Sequence, residues 1–129
     1  MSRKVLIVDK SLYTRMILRD MLSAHGYTVL EASSGRDAVE MYKSLQPDLV
    51  TVDAMMPGMD GVFAVREIRF FDPKAAIFMC GTRGQRQFVM EGMSLGAEGV
   101  LLKPFNERQV LRAINAAGGT SPMSQPMEM

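Results

Sequence analysis

The stretch that decides the fold is Asp48-Leu49-Val50-Thr51-Val52-Asp53-Ala54-Met55-Met56-Pro57-Gly58-Met59-Asp60-Gly61. Its Leu-Val-Thr-Val run is typical of a strand that is buried on both faces of a parallel sheet. Such a strand delivers Asp53 to its carboxyl end, where open α/β sheets place their binding crevices. Because burying a carboxylate without partners is costly, Asp53 is either a functional acid or a solvated loop residue.

Four further apolar runs have strand length, and segments of helical periodicity separate them. The predicted strands are 5–8, 27–32, 49–52, 76–80 and 98–102. Three helices are predicted to start after the capping residues Ser11, Ser34 and Asn106. Two more are predicted over 62–70 and 85–95, and Gly26 and Gly96 are predicted to end the first and the fourth helix. Five strands alternating with five helices predict an α/β fold, in which a doubly wound parallel sheet carries helices on both faces.

Right-handed crossovers bring the carboxyl ends of all parallel strands to one edge of the sheet. The residues expected at that edge are Asp9, Lys10, Asp53, Gly81, Thr82 and Lys103. Two carboxylates beside an ammonium suit phosphoryl chemistry, because a carboxylate can attack phosphorus and a lysine can pair with the resulting phosphate. A magnesium ion would neutralise the phosphoryl oxygens and orient the donor.

Composition predicts one ordinary soluble domain. The chain has 129 residues, a formal net charge of +1 and one cysteine, Cys80, within an apolar run. A net charge this small does not favour binding to nucleic acid or to a membrane surface. No apolar run reaches the length of a membrane span. We therefore expect a cytoplasmic domain over residues 1–117, followed at 118–129 by a flexible tail or a truncated linker.

Four sequence motifs resemble the receiver domain of two-component response regulators, most closely the single-domain chemotaxis type. They are Val8-Asp9, Val52-Asp53 with Met56-Pro57-Gly58-Met59-Asp60-Gly61, Gly96-Ala97, and Lys103-Pro104-Phe105. The resemblance covers residues 3–117 and implies a five-stranded sheet of flavodoxin-like order 2-1-3-4-5. It also implies a non-enzymatic signalling protein with a cis peptide bond between Lys103 and Pro104.

The same resemblance assigns roles to individual residues. Asp53 would accept a phosphoryl group from a histidine kinase, and Lys103 would contact the phosphate. Asp9, Asp53 and the backbone carbonyl of Met55 would hold Mg²⁺. A downstream protein would bind the face formed by the fourth helix, fifth strand and fifth helix. The residues expected there are Arg83, Arg86, Gln87, Val100, Phe105 and Arg108. A solvated face explains these arginines equally well.

Three positions depart from the family pattern. Lys10 replaces a second acid that is normally a magnesium ligand, so we expect weak magnesium binding. Gly81 replaces a Ser or Thr whose hydroxyl moves onto the phosphate, and the neighbouring Thr82 is an uncertain substitute because adjacent strand residues face opposite ways. Val100 replaces the family's switching aromatic residue on the fifth strand.

These departures leave an alternative open. The chain could be a pseudo-receiver, a binding module in which Lys10 pairs with Asp53 and phosphorylation is weak or absent. An aspartate-dependent phosphatase is weakly supported, because Ser11 stands where a general acid would be needed. A flavodoxin is also weakly supported, because the loop after the first strand lacks a phosphate cradle.

Overall fold

The computed structural model describes residues 3–56 and 60–117. Its five parallel strands form one sheet in the order β2-β1-β3-β4-β5. The strands are β1 (Lys4–Val8), β2 (Thr28–Ala32), β3 (Leu49–Asp53), β4 (Ile77–Gly81) and β5 (Gly99–Leu102). The helices are α1 (Leu12–Ser23), α2 (Gly35–Leu45), α3 (Asp60–Phe71), α4 (Arg86–Ser94) and α5 (Glu107–Asn115). The predicted α/β class and the strand order implied by the resemblance are confirmed.

The strands contribute side chains to two separate hydrophobic clusters, one on each face of the sheet. In β1, Val5 and Ile7 join the cluster covered by α1 and α5. Leu6 and Val8 join the cluster covered by α2, α3 and α4. Successive strand residues point to opposite faces, so a fully apolar run is required when both faces are covered. This two-sided burial explains why the strands read as continuous apolar runs.

The predicted helix starts of α1, α2 and α5 are confirmed by their caps. The side chains of Ser11, Ser34 and Asn106 each accept a hydrogen bond from the backbone N–H three residues later, at 3.2, 3.1 and 3.0 Å. The predicted stops Gly26 and Gly96 have φ values of +89° and +111°, which favour glycine. These three helix starts and two stops therefore lie where local chemistry predicts.

Two helices differ slightly from the prediction. Helix α3 begins at Asp60, two residues before the predicted start at Val62. Helix α4 begins at Arg86, because Arg83–Gln85 first forms a short 3₁₀ turn. That turn matters for the site, since it folds the chain back over the end of β4.

Part of the sequence prediction falls outside the described residues. The Pro57-Gly58-Met59 segment and the proposed tail at 118–129 both lie there, so the domain boundary at 117 stays a prediction. Within the described ranges, no helix combines the length and apolar character needed to cross a bilayer. The peptide bond between Lys103 and Pro104 is cis, as the resemblance implied.

Candidate functional site

Three charged side chains from distant parts of the chain meet at the carboxyl edge of the sheet. The Lys103 Nζ donates hydrogen bonds to Asp53 Oδ1 at 3.0 Å and to Asp9 Oδ2 at 3.2 Å. Asp9 and Asp53 are only 4% and 7% exposed. Removing one partner from such a buried group would leave an uncompensated charge, so the three residues form one electrostatic unit.

The backbone of the sheet fixes where these side chains lie. Asp53 ends β3 and is in register with Cys80 on β4. Lys103 follows β5, and its backbone N–H donates to the carbonyl oxygen of Gly81 at 2.9 Å. Helix α3 approaches Asp53 closely, since a Cβ at Gly61 would lie 2.8 Å from the Asp53 carbonyl oxygen. A glycine is therefore required where α3 starts beside the acid.

The charge state of the lysine follows from its neighbours. Burial lowers the pKa of Lys103, but the hydrogen bonds and charges of Asp53 and Asp9 outweigh burial, so its pKa lies above the usual value. Lys103 is therefore cationic throughout the physiological range. The neighbouring thiol behaves differently, because burial raises the pKa of Cys80 to about 12. Cys80 is thus a neutral core residue, as its apolar surroundings in the sequence predicted.

The structure does not place Lys10 in contact with Asp53. Lys10 is exposed, and among residues 3–56 and 60–117 no carboxylate lies within ion-pair distance of its ammonium. The pairing of Lys10 with Asp53 that the pseudo-receiver alternative allowed is not observed, since Lys103 donates to Asp53 instead. Exposure keeps the strongly hydrated ammonium in water, which avoids the cost of burying a second cation beside Lys103.

Arg15 holds the loop that carries Lys10. Its Nη1 donates to the carbonyl oxygen of Asp9 at 2.7 Å and to that of Lys10 at 3.3 Å. Its Nε pairs with Glu31 Oε1 at 2.9 Å, while Arg19 pairs with the other Glu31 oxygen at 3.1 Å. Partial burial raises the pKa of Glu31, but the two arginines outweigh that effect and hold its pKa below the usual value. Sequence reasoning missed this network, because no local pattern links residues on α1 and β2.

The end of β4 carries an arrangement that sequence reasoning missed, although Thr82 and Gln85 have the spacing of a capping box. Gly81 is buried as the last residue of β4, and Thr82 is exposed outside the strand. The Thr82 backbone N–H donates to Gln85 Oε1 at 3.0 Å. The side chain of Gln85 therefore folds back over the position where Gly81 has no side chain.

The oxygen ligands at this edge of the sheet form a magnesium site with fewer carboxylates than the family pattern. Asp9 and Asp53 supply two carboxylates, and Met55 lies two residues beyond Asp53 in the same loop. In the described ranges, no group of three His, Cys, Asp or Glu residues could hold a metal. Magnesium commonly binds proteins through one or two carboxylates and keeps several waters. The Asp53 Oδ2 accepts no hydrogen bond from a described residue, so Asp9 and Asp53 fit magnesium. Lys103 neutralises part of the negative charge of this acidic pair.

The face predicted to bind a partner is partly apolar. A groove of about 490 Å³ lies along α4 and β5, lined by Thr82, Arg83, Arg86, Val89, Met90, Val100 and Leu102. Arg83, Arg86 and Arg108 are exposed, and none of them pairs with a carboxylate in the described part of the chain. Val100 is half-buried against the core, and Gln87 is exposed. Phe105 packs against the opposite cluster. Sequence reasoning missed the apolar lining by Met90 and Leu102.

Residues 5–115 match the sequence profile of the response regulator receiver domain. The chain belongs to this family. This receiver is 45% identical to the chemotaxis protein CheY of Thermotoga maritima, over 89% of the chain and 97% of that relative. It is therefore a receiver domain of two-component signalling, homologous to CheY.

Solved structures agree with this assignment. Vibrio cholerae CheY4 superposes with a TM-score of 0.82 at 32% identity, covering 89% of this receiver and 98% of that chain. A Borrelia burgdorferi CheY, solved in a complex with CheX, BeF3 and Mg²⁺, superposes with a TM-score of 0.80 at 32% identity. That match covers 88% of this receiver and 87% of the Borrelia chain.

Proposed function

We propose that Asp53 accepts a phosphoryl group from a partner histidine kinase and that the modified receiver then binds a downstream protein. The observation that carries this proposal is the buried unit of Asp53, Asp9 and Lys103 at the carboxyl edge of the sheet. Receiver domains of this type are mostly signalling modules and not enzymes. We place the receiver in the cytoplasm, where such a kinase would phosphorylate it.

The transfer step follows from the chemistry of the acceptor. An oxygen of the Asp53 carboxylate attacks phosphorus, and an acyl phosphate bond forms while the phosphorus–nitrogen bond of a phosphohistidine breaks. The imidazole leaves with the electron pair and takes up a proton. The Lys103 ammonium, already 3.0 Å from Asp53, neutralises part of the charge on the transferred group. Its raised pKa keeps it cationic during this step.

Asp9, Asp53 and the carbonyl oxygen of Met55 are the groups that would hold Mg²⁺. When bound, the ion would neutralise phosphoryl oxygens and orient the donor. Asp9 is fixed for this role, since its Oδ1 accepts a hydrogen bond from the backbone N–H of Ser11 at 2.8 Å. With the exposed Lys10 counted, the formal charges of Asp9, Lys10, Asp53 and Lys103 sum to zero before the ion arrives, so magnesium affinity should lie below the family norm.

Phosphorylation would change the binding face through charge. The modification adds about −1.5 to −2 charge units, which is enough to reorder a loop beside a lysine. The groove along α4 and β5 begins at Thr82, directly after β4 at the same edge of the sheet. Its arginines, Arg83 and Arg86, pair with no carboxylate of a described residue, which favours a downstream partner that presents an acidic segment with an apolar side chain.

Intact mass spectrometry after incubation with acetyl phosphate, with and without Mg²⁺, tests the proposal. We expect a magnesium-dependent phosphoryl adduct in the parent protein and none in Asp53→Asn, whose circular dichroism spectrum should match the parent's. Uptake that survives in Asp53→Asn would overturn the assignment of the acceptor. A folded parent that takes up no phosphoryl group under either condition would favour the pseudo-receiver, which would bind its partners unmodified.

A further inference from the structure

The carboxamide of Gln85 occupies the space beside Gly81. A Cβ built at Gly81 would lie 3.1 Å from Gln85 Oε1, 3.0 Å from Val89 Cγ2 and 3.4 Å from the Ala54 Cβ. A side chain at position 81 would therefore need the volume that Gln85 already fills. Ala54 directly follows Asp53, so the Gln85 carboxamide lies close to the acceptor loop.

Hydrogen bonding fixes the orientation of this carboxamide. The Gln85 backbone N–H donates to the Thr82 carbonyl oxygen, and the Thr82 N–H donates to Gln85 Oε1, both at 3.0 Å. Because a backbone N–H can only donate, the amide oxygen must face Thr82 and the Nε2 must point elsewhere. The Nε2 donates to no acceptor among the described residues, and Gln85 is half-buried.

The acceptor needs more hydrogen-bond donors than Lys103 supplies. A phosphoryl group carries three strong acceptor oxygens, and Lys103 is the only side chain in the described ranges that donates to Asp53. Gly81 offers no side-chain donor at the end of β4, and the Thr82 N–H is already engaged. The Gln85 Nε2 is bonded to the same carboxamide carbon as the oxygen beside Gly81, and it makes no hydrogen bond to a described residue, so it is a side-chain donor near the end of β4.

We propose that the Gln85 Nε2 donates a hydrogen bond to the phosphoryl group carried by Asp53. This inference rests on the proposed function, and it assigns Gln85 as a contact of the phosphorylated acceptor. The Thr82 N–H holds the carboxamide in place, and the absence of a side chain at Gly81 leaves room for it. Gln85 thereby supplies from the start of α4 the donor that Gly81 lacks.

The substitution Gln85→Glu separates donation from packing. A glutamate keeps an oxygen that can accept from the Thr82 N–H, but it replaces the Nε2 donor with a negatively charged oxygen facing the phosphoryl group. We expect its rate of adduct formation with acetyl phosphate and Mg²⁺ to fall at least tenfold. Gln46→Glu is the matched control, because Gln46 is exposed directly after α2, before the start of β3, and undergoes the same change of charge. We expect less than a twofold change there.

A spectroscopic arm measures the contact in the parent protein, and a variant is used only to assign one signal. Beryllofluoride, a phosphoryl mimic, is added with Mg²⁺ to ¹⁵N-labelled protein, and the side-chain amide signal of Gln85 is assigned from its loss in Gln85→Leu. We expect that signal to shift on addition, while the side-chain amide signal of Gln46 stays in place.

The outcomes separate this inference from the proposed function. A parent that forms the adduct, with an unchanged rate in Gln85→Glu or an unshifted Gln85 amide signal, would overturn the contact alone. A parent that forms no Asp53-dependent adduct would overturn both proposals together.

Discussion

Two loops at the same edge of the sheet depart from the family pattern, and the surrounding residues accommodate the two departures in different ways. In the loop after β1, Lys10 extends into solvent, while Arg15 fixes the backbone of that loop through the carbonyl oxygens of Asp9 and Lys10. In the loop after β4, the empty position at Gly81 is filled by Gln85.

The difference teaches how a site tolerates unusual residues. The added charge of Lys10 is solvated by water, while Arg15 holds the backbone of its loop. A missing side chain is replaced by a neighbour, because a protein interior does not tolerate a void. The second adjustment places two residues in direct contact, whereas the first leaves Lys10 out of contact with Asp53. Substitutions in the β4 loop should therefore affect stability, and substitution of Lys10 should affect mainly ion binding.

The largest effect is expected from filling the space at Gly81. Threonine favours strands, yet Gly81→Thr would press on Val89 and Gln85 and should lower the free energy of unfolding by about 1–3 kcal/mol. Urea denaturation measures this loss. The control Gly84→Thr should cost less, since among the described residues beyond its chain neighbours only the Thr82 hydroxyl lies within 4 Å of its Cβ, at 3.8 Å.

A double variant sharpens this result. Gln85→Ala combined with Gly81→Thr should recover part of the lost stability, because it removes one of the two close contacts. Strictly additive losses in the two single variants would show that Gly81 and Gln85 do not share space.

The second effect tests the anchor of the β1 loop. Arg15→Met removes hydrogen bonds to two carbonyl oxygens and to Glu31 and should lower the free energy of unfolding by about 2 kcal/mol. Arg19→Met is the matched control, because Arg19 pairs with the same Glu31 from a more exposed position. Urea denaturation should show less than half the effect for Arg19→Met. Equal losses would mean that the carbonyl contacts of Arg15 contribute little.

The five strands, most helix ends and the meeting of Asp9, Asp53 and Lys103 could be predicted from the sequence. Apolar periodicity is local, and the parallel topology then brings the strand ends together by rule. The direction of Lys10 could not be predicted, because it depends on which atoms occupy the space around the loop once distant elements pack. The turn that orients Gln85 could have been found, since Thr82 and Gln85 have the Thr-x-x-Gln spacing of a capping box, but the packing of Gln85 against Gly81 could not.

The third effect concerns the charge of Lys10. Lys10→Asp makes the charge near the site more negative by two units. In water, at about 10 Å from a divalent ion, that change favours ion binding by about 1.7 kcal/mol. We therefore expect magnesium affinity to rise more than tenfold in low-salt buffer, measured by isothermal titration calorimetry. Lys74→Asp makes the same change at an exposed position in the loop after α3 and should alter affinity little. An affinity unchanged in Lys10→Asp would mean that residue 10 is electrically remote from Asp9 and Asp53.

The smallest effect is a pH dependence at Glu31. Its pKa is held below the usual value of 4.5, so its ion pairs stabilise the folded state above pH 4.5, and that contribution is lost as pH falls through the lowered pKa. The parent should therefore exceed Glu31→Gln in urea midpoint at pH 7, and the gap should close toward pH 3. Glu91→Gln, at an exposed position on α4, should show no such closing gap. A gap of constant size from pH 7 to pH 3 would mean that Glu31 stabilises the β1 loop by its shape alone. The anchor of that loop would then be Arg15 and its carbonyl contacts, without help from charge.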